Sequence, residues 1–353
     1  MKAAARARGE DVVDLGMGNP DGVPPRHVID KLCEVAAKPN AHRYSASRGI
    51  PGLRKAQAAY YQRRFNVTLD PDSEVIVTLG SKEGLANLAQ AITAPGDVVL
   101  APNPSYPIHS FGFIIAGAAV RSIPAAPGED FFRRLEMAMR FTVPRPKVLV
   151  IGYPSNPTAY VADLPFYERL VAFARAHELI VISDLAYAEI YFGDVPTPSI
   201  LQVEGAKDVA VEFTSMSKTY SMAGWRIGFA VGNERLIAAL ARVKSYLDYG
   251  AFTPGPGSGD RGIERPAGYR RFQPRALQEA PRRAGRMLRA RRLGHPGAAS
   301  VDVRLGADPG SVPRGGLDGI RQTAADGSAC RGRSGRRLRR GRRRLRAHRT
   351  GRE

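Results

Sequence analysis

Lys218 follows two hydroxyls in Ser215-Met216-Ser217-Lys218, and Arg226 comes eight residues later within Ala223-Gly224-Trp225-Arg226-Ile227-Gly228-Phe229. This spacing puts an amine, two hydroxyls and a guanidinium within reach of one small anionic ligand. The apolar run just before it contains Val209, Ala210, Val211 and Phe213, and a lysine ending such a run must reach solvent, pair, or lose its proton. An amine without its proton attacks an aldehyde. Arginine keeps its charge and forks onto phosphate oxygens, to which serine hydroxyls also donate. An aldehyde and a phosphate in one ligand point to pyridoxal 5'-phosphate. The tetrapeptide alone is common, and an exposed lysine after a strand is the competing reading.

Other segments favour the chemical reading. Leu15-Gly-Met-Gly-Asn-Pro-Asp21, His42-Arg-Tyr44, Gly49-Ile-Pro-Gly-Leu-Arg54, Gly80-Ser-Lys-Glu83, Asn103-Pro-Ser-Tyr106, Tyr153-Pro-Ser-Asn-Pro-Thr158 and Ser183-Asp-Leu-Ala-Tyr187 precede the lysine segment in this order. Together they resemble the fold type I, class I/II aminotransferases, in the branch that includes alanine and LL-diaminopimelate aminotransferases. The resemblance covers residues 11–254. It implies that Lys218 is the lysine that bonds the cofactor aldehyde and moves the substrate Cα proton. It also implies that Asp184 pairs with the cofactor's pyridinium nitrogen, where a buried carboxylate gains a charge partner; a turn or cap aspartate is the alternative. Tyr187 and Asn156 resemble donors to the cofactor 3'-oxygen, although the Pro154–Pro157 segment would form a turn in any protein. Tyr106 resembles the aromatic that stacks on the pyridine ring, against the alternative of a core tyrosine. Ser81 and Lys82 open a helix whose amides suit an anion, joining Ser215, Ser217 and Arg226 around the phosphate; shaping the loop is the alternative for Ser217. Tyr44 resembles a residue given to the neighbouring subunit's cofactor, which implies a homodimer. Gly18 matches the loop lining the substrate side, where glycine permits close backbone approach.

Composition divides the chain near residue 255. Its 353 residues carry a net charge of +20, but residues 255–353 hold 26 arginines, no lysine and 8 acidic residues, leaving residues 1–254 with a net charge of only +2. A basic balance of this kind suggests a nucleic-acid partner. Beyond Pro254 the apolar periodicity also ends, and Gly, Pro, Arg and Ala dominate. Such a segment buries too little apolar surface to offset chain entropy, so we expect disorder there.

A sharper expectation is that this segment is translated out of frame. Read one nucleotide later, Gly262–Tyr269 can encode Ala-Leu-Asn-Gly-Pro-Gln-Asp. Cys330–Glu353 can encode a run ending Tyr-Val-Arg-Ile-Ala-Leu-Val-Glu, which resembles the family's C-terminal motif, whose arginine binds the substrate α-carboxylate. The organisation expected is residues 1–20 as the remnant of an N-terminal arm and substrate loop, 21–254 as the large cofactor-binding domain, and 255–353 as the out-of-frame tail. With the small domain largely missing, little or no transamination is expected of the chain as it stands.

Short apolar runs alternate with helical patterns, the mark of an α/β fold with a mostly parallel sheet sandwiched by helices. Candidate strands are 74–78, 98–101, 118–123, 147–151, 179–183, 209–214 and 227–231. Candidate helices are 52–65, 82–92, 130–141, 164–177 and 234–246, and the first residues read as a helix stopped by Gly9. Ligands in open α/β sheets lie beyond the carboxyl ends of strands, where Gly80, Tyr153, Asp184 and Ser215 fall. The six histidines show no metal-ligand spacing and read as surface or core residues. Cys33 and Cys330 are the only cysteines, so no disulfide framework is implied and a reducing cytoplasm is expected. No run of 18 apolar residues suggests a membrane span.

The resulting expectation is a pyridoxal-phosphate-dependent aminotransferase acting on an amino acid, alanine or glutamate, and a 2-oxo acid. A β-lyase or synthase on the same scaffold is the alternative within the class. The alternative from another class is a nucleic-acid-binding protein using the arginine tail.

Overall fold

The computed structural model describes residues 2–11, 20, 22–191, 195–255 and 263. Gly18 and nearly all of the segment beyond residue 255 lie outside the described residues, so the expectations placed on them concern sequence alone. The strands are β1 Val75–Thr78, β2 Val98–Asn103, β3 Ala119–Pro124, β4 Val148–Gly152, β5 Ile180–Asp184, β6 Ala210–Ser215 and β7 Gly228–Gly232. The α-helices are α1 Lys2–Ala7, α2 Arg26–Ala36, α3 Pro51–Phe65, α4 Ser81–Ile92, α5 Ile108–Ile115, α6 Glu129–Phe141, α7 Leu164–His177, α8 Ala206–Val209, α9 Met216–Thr219 and α10 Glu234–Leu247.

The seven strands form one sheet in the order β1-β7-β6-β5-β4-β2-β3. Every neighbouring pair is parallel except those made by β7, which runs against both β1 and β6. Strands such as Val75-Ile-Val-Thr78 and Val148-Leu-Val-Ile-Gly152 are buried along nearly their whole length, as expected of a sheet covered on both faces. One face packs Leu53 and Tyr61 of α3, Leu135 of α6 and Leu170 of α7. The other packs Leu85 and Leu88 of α4, Phe113 of α5, and Ile237 and Leu240 of α10.

Helix ends obey local chemistry. Asp163 caps α7 by accepting from Phe166 N–H at 3.0 Å, and Asn233 caps α10 through Leu236 N–H at 3.0 Å, so a side-chain oxygen meets an otherwise orphaned donor. α4 differs: Gly80, at φ 84° and ψ 155°, precedes it and no side chain caps it. Gly84 lets α4 lie close on the sheet, since a Cβ there would approach Phe213 Cε1 to 2.8 Å.

A carboxyl lies in the core beside these elements. Glu212 of β6 is fully buried and accepts from Tyr61 Oη at 2.9 Å, Ser183 Oγ at 3.0 Å, Ile200 N–H at 3.2 Å and the Ser199 hydroxyl. Burial pushes its pKa up to about 7, against the pull of these donors.

Candidate active site

The carboxyl edge of the sheet gathers the candidate residues. Asp184 ends β5 and Ser215 ends β6, with Lys218 three residues beyond Ser215 on α9. Gly228 opens β7 opposite both Thr78 of β1 and Ser215 of β6. Because β7 alone is reversed, its entry lies at the edge where its neighbours end, and Arg226 is delivered there two residues earlier.

Arg226 sits in the left-handed region at φ 54°. Its Nη1 donates to Ala223 O at 2.9 Å and its Nη2 to Leu79 O at 3.1 Å. The guanidinium lies so close to the turn before α4 that a Cβ on Gly80 would come within 2.2 Å of Nη2. A Cβ on Gly228 would meet Ser81 N at 2.6 Å. Glycine at both positions therefore keeps a cup open between Arg226 and the uncapped start of α4. That start carries backbone amides and the positive end of the helix dipole, a combination that favours anions.

Ser215 accepts from Ser217 N–H at 3.1 Å and donates to Ile227 O at 3.4 Å. The buried Ser217 joins this turn through its backbone N–H. Lys218 is half-buried, and burial lowers the pKa of its amine. Lys82 is exposed, with Nζ 5.9 Å from the centre of the Tyr106 ring.

Asp184 is 8% exposed, and its Oδ2 accepts from His109 Nε2 at 2.9 Å. His109 is buried on α5, and its ring meets Tyr106 edge-on at 5.9 Å. His109 is buried, as the core reading expects, and it also bonds a carboxylate of the candidate site. Its partner lies 75 residues away in sequence, so spacing along the chain held no trace of the pair; its position three residues after Tyr106 was the one available signal. Gly152 makes room for the ring, because a Cβ there would lie 2.8 Å from His109 Cε1. The other ring nitrogen, Nδ1, is buried without a hydrogen-bond partner.

Tyr187 and Asn156 meet as a hydrogen-bonded pair. Burial, and then the charge of Asp184, raise the Tyr187 pKa, while Asn156 pulls it back. Tyr44 lies apart, 85% exposed, with its ring 4.6 Å from that of Tyr249. Among the described residues, no group of His, Cys, Asp and Glu is placed to hold a metal ion, and no helix is long and apolar enough to cross a membrane.

Residues 10–258 match the family profile described as Aminotransferase class I and II. The chain belongs to this family. AatC of Rhizobium meliloti, a proposed aminotransferase, is 67% identical over 254 residues, which are 72% of this chain and 63% of that protein. The glutamate-pyruvate aminotransferase AlaC of Escherichia coli is 58% identical over 254 residues, 72% of this chain and 62% of that protein. This aminotransferase-family chain thus spans less than two thirds of the length of either relative. Among solved structures, the N-succinyldiaminopimelate aminotransferase of Mycobacterium tuberculosis superposes with a TM-score of 0.74 at 28% identity, covering 82% of this chain and 75% of that one. The family and its fold imply pyridoxal phosphate as cofactor. The residues at the sheet edge fit that group: an anion cup that a Cβ would fill, a lysine of lowered proton affinity, and a buried carboxylate held by a histidine.

Proposed function

We propose that this chain carries the cofactor-binding domain of a pyridoxal-phosphate-dependent aminotransferase that moves an amino group between alanine or glutamate and a 2-oxo acid. The observation that carries it is the meeting of Lys218, Asp184 and the Arg226–Gly80 cup at one edge of the sheet. The printed activity of AlaC supports the choice of substrates.

When bound, pyridoxal phosphate supplies an aldehyde that condenses with amines and a ring that accepts the electrons released at the substrate Cα. The remaining work falls to the protein. Ser81, Lys82, Ser215, Ser217 and Arg226, with the α4 amides, hold the phosphate. Asp184, oriented by His109, keeps a proton at the ring nitrogen, and Tyr106 covers the ring. Tyr187 and Asn156 donate to the 3'-oxygen; a phenol whose pKa is raised stays protonated and able to donate. Lys218 takes the proton from the substrate Cα, a task suited to an amine that burial makes less basic. Tyr44 reaches the phosphate of a neighbouring subunit in a homodimer, its exposure supporting that reading, and Gly18 lines the substrate side. The enzyme works in the cytoplasm, without membrane or nucleic-acid partner.

Beyond Pro254 the chain is read out of frame, which the abrupt change in composition supports and sequencing across codon 255 tests. The substrate-carboxylate arginine then belongs to the in-frame protein. Titration of the in-frame protein with pyridoxal phosphate should give a visible absorption band that Lys218→Ala abolishes. Addition of alanine should convert the bound cofactor to pyridoxamine phosphate. A band that survives Lys218→Ala refutes the assignment, and pyruvate and ammonia released without pyridoxamine phosphate would favour a β-lyase.

A further inference from the structure

Lys244 is 0% exposed, yet nothing in the chemistry above employs it. It lies on α10, and its Nζ donates to Glu83 Oε1 at 3.2 Å and to Asp248 Oδ2 at 2.8 Å. A buried ammonium persists only where anions and hydrogen bonds replace its water. Two carboxylates do so here, each with a second engagement.

Glu83 belongs to the first turn of α4. Its Oε2 accepts from Leu79 N–H at 2.8 Å, and the Asn87 amide donates to its Oε1. The Leu79 carbonyl accepts from Arg226 Nη2 at 3.1 Å. The peptide groups of Leu79 are thereby gripped on both sides, the N–H by Glu83 and the C=O by the guanidinium. A carboxylate within the first turn also competes with any incoming anion for the helix end. Lys244 neutralises that charge and holds it to the side.

Asp248 leads the other way. Its Oδ1 accepts from Gly250 N–H at 2.7 Å. Gly250 has φ 83°, and a Cβ on it would come within 2.3 Å of Ala46 O. Between Asp248 and Gly250, Tyr249 packs on Tyr44. One buried cation therefore joins the turn before α4 to the segment that supports Tyr44.

We infer that Lys244 is a positioning residue for the phosphate cup, acting through Glu83 on the Leu79–Lys82 turn and through Asp248 on the Tyr44–Tyr249 contact. This rests on assigning that turn to the cofactor phosphate. The test compares binding of pyridoxal phosphate with binding of pyridoxal, which lacks the phosphate, by absorbance titration of the soluble in-frame protein. Lys244→Met, similar in length and uncharged, should weaken pyridoxal phosphate binding by about tenfold or more, while pyridoxal binding stays within about twofold. Glu83→Gln added to Lys244→Met should recover part of the loss, because the stranded carboxylate is gone while an acceptor for Leu79 N–H remains.

An unchanged ratio of the two affinities in Lys244→Met, or no recovery in the double variant, overturns the inference. If Lys244→Met does not fold, Asp248→Asn is read in its place. It should show the same selective loss at about threefold, since half of the bridge remains, and an unchanged ratio again overturns the inference. Wild-type protein that binds pyridoxal as tightly as pyridoxal phosphate would instead sink the phosphate assignment itself.

Discussion

Glu212→Gln should remove most of the dependence of stability on pH between about pH 5 and pH 8. In the folded chain the Glu212 carboxyl keeps its proton up to about 7, against an ordinary value of 4.5. The unfolded chain releases the proton near the ordinary value, so between these limits the folded state binds more protons. Stability then falls as pH rises through that window and levels off above it. The interval corresponds to about 3 kcal/mol between the two protonation states, at about 1.4 kcal/mol for each tenfold change in affinity for the proton. The side chain is fully buried, so solvent screening does not diminish this figure. Either protonation state can be accommodated, because the hydroxyls of Tyr61, Ser183 and Ser199 can turn to donate or accept. The assay is denaturant unfolding of wild type and variant at several pH values from 5 to 8. The difference between their stabilities should change by about 3 kcal/mol across that range. Parallel profiles would show that the carboxyl is ionised throughout, held so by its four donors, and would refute the reasoning.

Gly80→Ala should lower cofactor affinity by about tenfold or more, since its Cβ displaces Arg226 and the strained φ costs about 1–3 kcal/mol; wild-type affinity in a titration would contradict this. His109→Phe keeps a ring against Gly152 but removes the donor to Asp184, so the visible band of bound cofactor should titrate at a different pH, and an unshifted spectrum would show that the pair is only packing. Reductive trapping with pyridoxal phosphate at mildly alkaline pH should label Lys218 ahead of surface lysines, because burial lowers its pKa; peptide mapping that finds uniform labelling would count against it.

Much of the fold was legible because the strands are continuous apolar runs rich in Val and Ile, bounded by turn residues. All seven candidate strands exist: β3 to β7 are displaced by one residue, β1 starts one residue later and β2 ends two residues later. The five candidate helices exist as well, and Gly9 follows α1 with φ 78° as a helix stop. Helices α2 and α5 and the single turns α8 and α9 were not foreseen. Ile108-His-Ser-Phe-Gly-Phe-Ile-Ile115 is mostly β-branched and aromatic residues with a central glycine, a composition that argues for strand until packing on α4 decides otherwise. The direction of β7 was also hidden, because alternation along a strand is the same read either way. At the site, the residue types were legible through the resemblance, while the contacts were not. The grip of Arg226 on the Leu79 carbonyl and of His109 on Asp184 joins residues 147 and 75 positions apart, and only the folded sheet brings them together.

The reversal of β7 gives the chain an arrangement that tolerates little sliding. Gly228 is locked between Thr78 and Ser215, so Arg226 and the hydroxyl of Ser215 are held at a fixed offset by the ladder rather than by a loop. Shifting β7 by one position would turn every one of its side chains to the opposite face and bring Phe229 to the place where no Cβ fits beside Ser81 N. A single inserted or deleted residue next to this strand would thus misplace Arg226 relative to the start of α4 while sparing most of the hydrophobic interior. Length variation between relatives should accordingly collect elsewhere, in the loops on the far edge of the sheet.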